Sequence, residues 1–198
     1  MGRQEQTNHL FSNRDLRILL VPLIVEQILN SLMGTADSIM VSNVGSAAIS
    51  AVSLVDSINI LVIQAFYALA AGGTIVCSQY IGQKDKKNAE ESARQLSFVV
   101  ACISSAVMAV CLLTRGPLLR LIFGSVEADV MEAAQTYFFY TALSFPFIAL
   151  YDAGSSIYRA QGNTRLPMTI AVVSNGLNIA GNAVLIWGFH LGVAGAAI

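Results

Sequence analysis

LRILLVPLIVEQILNSLMGTADSIM, residues 16–40, decides the fold. At 1.5 Å per residue it is long enough to cross a hydrocarbon core of about 30 Å. It nevertheless carries acids, and Asp37 is the first to stand out. An ionised carboxylate at mid-bilayer costs at least about 2.5–3.5 kcal/mol on insertion scales. Acids kept in such positions face a bundle interior or a wet cavity, where they handle a proton, an ion or a substrate charge. The stretch therefore reads as a membrane helix with a transport role, and Asp37 is its leading candidate residue.

Composition extends that reading to the whole chain. Apolar residues make up 55% of its 198 residues and charged residues only 12%, against roughly 25% charged in a soluble domain. Too little charge remains to solvate a globular surface, so the expected class is an all-α, polytopic integral membrane protein. A net charge of −1 gives no basis for nucleic-acid binding. Cys77, Cys102 and Cys111 sit in apolar segments without CxxC spacing or histidine partners, which makes them packing residues. The polar start MGRQEQTNHLFSNRDLR shows no cleavable signal, and the first apolar run is too long for an h-region.

Charge-free windows mark five spans: Leu16–Met40, Ala47–Tyr80, Leu96–Thr114, Ala133–Gln161 and Leu166–Phe189. The second is broken by Asp56, and the fourth is interrupted at Asp152 and Arg159. LGVAGAAI (Leu191–Ile198) starts a sixth span and ends without a helix stop, so a fragment is expected. Between the spans, Asn43–Gly45 reads as a tight link. Gly82–Ser92 (GQKDKKNAEES) reads as a charged loop. Arg115–Ser125 (RGPLLRLIFGS) carries Gly-Pro and Phe-Gly breaks around a short interfacial segment. Gln161–Pro167 combines a Gly stop with a Pro restart.

Basic residues set the orientation. Arg3, Arg14, Arg17, Lys84, Lys86, Lys87, Arg94, Arg159 and Arg165 fall on one side, against Arg115 and Arg120 on the other. The positive-inside rule places the N-terminus in the cytoplasm. Residues 1–15 are then a cytoplasmic tail and residues 16–198 a transmembrane lobe in a plasma (inner) membrane.

Several polar residues share helix faces inside these spans. Glu26, Asn30 and Asp37 are spaced by four and seven, with Met33 on the same stripe. They are either a cavity-lining face or, for Glu26 and Asn30, hydrogen-bond partners of neighbouring helices. Asp56 and Gln64 are roughly aligned on the second helix, Asp56 in a helix-end contact or lining the cavity. Ala70–Thr74 (AAGGT) is a run of small residues suited to close helix packing. Asn175, Asn178 and Asn182, spaced three and four apart, put three amides on one face of the fifth helix. Such a face holds a small cation or hydrogen-bonds a carboxyl group on another helix. Walker A, GxSxG, HExxH and DDxxD patterns are missing, and His9 and His190 are isolated. No catalytic residue, resident metal or cofactor is expected, and the chain does not read as an enzyme.

PLIVEQILNSLMGTADSIMVSNVGSAAISAVSLVDS (residues 22–57) resembles the opening of multidrug and toxic compound extrusion (MATE) transporters. Further similar segments are Ser78–Gly82 (SQYIG), Tyr158–Thr164 (YRAQGNT), Leu177-Asn178-Ile179 and Gly192–Ile198. The resemblance covers nearly the whole chain, with the motifs in order. It implies a half of a twelve-helix fold, made of five helices and the start of a sixth around a central cavity. It also implies exchange of organic cations and drugs for H⁺ or Na⁺ by alternating access, with the missing C-terminal lobe as partner. In family members with a cation site in this lobe, a first-helix acid works with an Asn and an Asp four residues apart on the fifth helix. Asp37 and Asn178 match two of these positions, whereas the third here is Asn182. That departure leaves either proton coupling at Asp37 or a main cation site in the other lobe. A lipid-linked saccharide flippase of the same superfamily is disfavoured by the lack of Lys or Arg at mid-membrane depth. A scaffold subunit without transport is disfavoured by polar faces on two separate helices.

Overall fold

The computed structural model describes residues 13–42, 45–124 and 126–189, with the backbone alone for Asn13, Asp37 and Trp187. The expected start of a sixth helix, most of the N-terminal tail and His190 lie outside the described residues.

Five long helices follow one another: α1 (Asn13–Ser42), α2 (Ser46–Gly82), α3 (Lys86–Phe123), α4 (Ala128–Ala160) and α5 (Arg165–Ala183). A π-helical turn, Val184–Gly188, extends α5 and is closed by the Phe189 amide donating to Val184 O at 3.0 Å. Short links reverse direction each time, so α1, α3 and α5 run one way and α2 and α4 the other. By length and apolarity α1, α2, α3 and the segment Arg165–Ile186 qualify as membrane spans. At 33 residues, α4 is about 50 Å long. It packs against both α2 and α3.

The helices are longer and less interrupted than the charge pattern implied. Asp56, Asp152 and Arg159 do not break α2 or α4, which run through them. The supposed charged loop Gly82–Ser92 is a three-residue turn followed by the exposed start of α3. There Asp85 caps the helix, accepting from the Asn88 amide at 3.2 Å. Pairs one turn apart, Lys86 with Glu90 and Arg94 with Glu91, carry its charges in water,. Likewise Gly116 and Pro117 lie inside α3, which stops only at Gly124 (φ 63°). A membrane helix tolerates proline where its neighbours or a local adjustment satisfy the freed carbonyl, and Pro22 and Pro146 are also helix-internal.

Packing divides the described helices into two groups. α2, α3 and α4 pack on one another, whereas α1 packs mainly along α5 and touches α2 lightly. The core of the first group runs along α4, where Ala134, Phe138, Ala142, Phe145, Ala149 and Ala153 are buried at helical spacing. Alanines at four of these six places let the backbones approach closely. Phe145 meets Phe66 edge-on at 5.9 Å between ring centroids. Gly73, in the small-residue run of α2, lies against the Leu96 side chain, and a Cβ there would overlap it. In α1, by contrast, Leu20, Val21, Ile24, Ile28, Leu32 and Ile39 are exposed on the lobe's surface.

α2 and α4 end in the same way, at the same face. Asp85 N donates to Tyr80 O and Lys84 N to Ile81 O; Asn163 N donates to Tyr158 O and Gly162 N to Arg159 O. Each is a paired-carbonyl stop whose turning residue takes positive φ, 59° at Lys84 and 78° at Gly162,. A left-handed residue with a Cβ costs about 1–2 kcal/mol, so Lys84 carries a strain that glycine relieves. Gly162→Ala should lower the unfolding midpoint of the purified full-length protein, and Lys84→Gly should raise it, each by the equivalent of about 1 kcal/mol. Equal midpoints for both variants and the parent would contradict this account of the two stops.

Candidate functional site

Where α1, α2 and α4 converge, they enclose a cleft of about 560 Å³ lined by Leu23, Glu26, Asn30, Gln64, Tyr151 and Asp152, among others. Three of the residues singled out in the sequence, Glu26, Asn30 and Gln64, meet here from two helices. Glu26 is only 6% exposed. Arg159 Nη1 donates to both of its carboxylate oxygens at 3.2 Å, and the Tyr151 hydroxyl donates to Oε1 at 3.4 Å. An isolated buried carboxylate is expensive in a low-dielectric setting, and the guanidinium is what makes Glu26 tolerable there. Its partner comes from 133 positions along the chain.

Arg159 therefore differs from the expectation that it belongs to a cytoplasmic link. It sits one residue before the end of α4, turns inward and ends as a half-buried counter-charge. Tyr67, Tyr151 and Asp152 also line this cleft without having been picked out as site residues. The available signal was the opposite charge of Glu26 and Arg159 in two apolar spans, with Asp152 seven residues before Arg159 and so on the same face of α4.

The fifth helix presents its amides as follows. Asn182 is buried, and its Nδ2 donates to Asn178 Oδ1 at 3.3 Å. Asn175 is also buried, but its Nδ2 donates back to Ala171 O in its own helix at 2.7 Å. Its Oδ1 accepts nothing from the described groups. Thr164, at the start of α5, donates to Ile18 O of α1 at 3.3 Å and ties the two parallel helices at one end. Asp37 is then about 28 Å along α1 from Ile18, and Asn182 about 27 Å along α5 from Thr164. The Asp37 backbone and the Asn178–Asn182 pair thus lie within about two turns of each other in height. The Asp37 side chain lies outside the described residues.

Two expected residues fall elsewhere. Asp56 accepts from the Tyr137 hydroxyl at 3.1 Å and from Asn59 Nδ2 at 3.5 Å, in the seam between α2 and α4. It does not line the cleft. Met33 is half-buried on α1, above the cleft lining.

Removing one member of a buried ion pair leaves the other charge uncompensated, at a cost of about 3–5 kcal/mol. Glu26→Gln should therefore lower the thermal stability of the detergent-purified full-length protein substantially. Exchange of the two charges (Glu26→Arg with Arg159→Glu) should recover much of the loss. A Glu26→Gln protein as stable as the parent would show that the pair does not hold α1 to α4.

The architecture is shared with solved transporters. A MATE structure in complex with MaD3S superposes with a TM-score of 0.86 at 24% identity, covering 92% of this chain and 41% of that one. So does a MOP superfamily transporter from Pyrococcus furiosus whose structure is described as having a binding pocket of reverse polarity, with a TM-score of 0.86. In sequence the chain is 34% identical over 198 residues to the "Uncharacterized transporter YisQ" of Bacillus subtilis, covering 98% of this chain and 42% of that protein. It is 27% identical to the "Probable multidrug resistance protein NorM" of Thermotoga maritima, covering 93% of this chain and 40% of that one. Mouse "Multidrug and toxin extrusion protein 2" is 25% identical, with 89% and 30% covered. The chain spans about two fifths of the length of the bacterial relatives. These relatives are named as transporters and resistance proteins, not as enzymes. The MatE family profile matches residues 22–184, and the chain belongs to that family.

Proposed function

We propose that the full-length protein containing this chain is a secondary active antiporter. It exports small organic cations or drugs in exchange for H⁺ or Na⁺ by alternating access, with this chain supplying the N-terminal lobe. The observation that carries the proposal is the α1–α5 pair: an acid-bearing helix runs parallel to an amide-bearing one, tied to it by Thr164 and Ile18. Asp37 takes the coupling ion, with Asn178 and Asn182 as neutral oxygen and amide partners. A proton is the better match, because with Asn182 in place of a second acid only one carboxylate is offered. The coupling ion must bind the two facing states differently, since otherwise it shifts no equilibrium.

Glu26, Asn30 and Gln64 line the cargo side of the lobe, and Met33 and Asn175 extend the polar faces of α1 and α5. Asp56 instead joins α2 to α4. The N-terminus faces the cytoplasm of a plasma (inner) membrane, a reading supported by Lys84 in the α2–α3 turn and by Lys86, Lys87 and Arg94 at the start of α3. The partner is a second, similar lobe that closes the central cavity. Phosphate-bearing lipid cargo is disfavoured, because the single guanidinium in the cleft is already held by Glu26 and the formal charge of Glu26, Asp152 and Arg159 together is negative.

In vesicles carrying the full-length protein, Asp37→Asn should reduce efflux of a fluorescent organic cation to background while leaving membrane insertion unchanged. Efflux by the parent should follow an imposed pH gradient in sodium-free buffer. Unaltered efflux in the variant would remove Asp37 from the mechanism, and efflux driven by sodium alone would remove the proton.

A further inference from the structure

Asp152 is the one acid of the α1–α2–α4 cleft that no neighbouring donor satisfies. Its Oδ2 is buried and accepts no hydrogen bond from any described group. The guanidinium of Arg159, on the same face of α4, is committed to both oxygens of Glu26. Two carboxylates thus share one positive charge in a cleft with apolar walls at Leu23 and Ile63. Asp152 as a residue is half-buried, and a carboxylate oxygen shielded from water without a donor favours a neutralised group. The other titratable or charged groups facing it are Glu26 from α1, Tyr67 from α2, and Tyr151 and Arg159 from α4. No residue of α3 or α5 belongs to the lining.

We propose that Asp152 is a second proton-carrying group of this lobe, separate from Asp37. In one state of the cleft it holds a proton taken from the aqueous phase, with the new O–H bond on a neutral carboxyl. Loss of that proton to water leaves a net negative cleft, which then holds a positively charged cargo in the proton's place. The Glu26–Arg159 ion pair fixes the wall beside Asp152. A cleft of about 560 Å³ lies within the usual range of small-molecule sites, about 300–1,000 Å³. The place of Asp152 in an exchange cycle rests on the antiport reading, but its protonation does not.

Infrared difference spectra of the purified full-length protein between acid and alkaline buffers test this without any transport. The parent should show the carbonyl stretch of a protonated carboxyl. Asp152→Asn should lose one component of that band, Asp152→Glu should keep that component at a shifted position, and Asp37→Asn should leave that component in place. Unchanged spectra in both Asp152 variants would overturn the proposal. So would loss of the band when sodium chloride replaces choline chloride at fixed pH, since the site would then take a metal cation. A missing efflux signal in vesicles with the band intact would count against the antiport reading and leave Asp152 as a proton site.

Discussion

Charge inside a membrane must be matched from within the protein, and in this lobe the match between Glu26 and Arg159 joins the two halves of the structure. α2, α3 and α4 form a core through the alanine and phenylalanine stripe of α4. α1 and α5 form a second unit, held to the first by two chain links, limited side contacts and this ion pair. Lipid offers no hydrophobic preference for helix association, so close packing and polar contacts carry the assembly. Where the packing is thin, between α1 and α4, one satisfied charge pair has to supply the specificity.

The same pair explains how much of the lobe was legible beforehand. Apolar windows located every helix, because no soluble alternative tolerates runs of that length. Helix ends were hidden for separable reasons. The lysines and acids after Gly82 look like a loop, but α3 emerges from the bilayer there and carries them on its solvated first turns. Gly116-Pro117 looks like a break, but a helix surrounded by lipid keeps its remaining hydrogen bonds because no water competes for them.

Site residues on one helix were legible through their spacing. Glu26 and Asn30 meet Gln64 in one cleft, and Asn178 bonds to Asn182 as a one-turn spacing allows. Partners across helices were not legible, because spacing along one helix carries no information about which neighbour faces it. In the sequence Arg159 serves as a topological marker, and only its ion pair with Glu26 of α1 shows that its charge points inward. Asp56 illustrates the converse: an acid in an apolar span is accounted for by a tyrosine on the adjacent helix.

The sparse packing of α1 has a mechanical consequence. Only 11% of its most apolar window is buried within the lobe, against 22% for α3. Displacing α1 therefore breaks few apolar contacts and leaves the α2–α3–α4 core untouched. Among the described spans, the helix with the least burial in its apolar window is thus the one that carries both Glu26 and Asp37. A change of charge at either residue therefore acts on a helix whose ties to the rest include two polar contacts, Thr164 to Ile18 and Arg159 to Glu26.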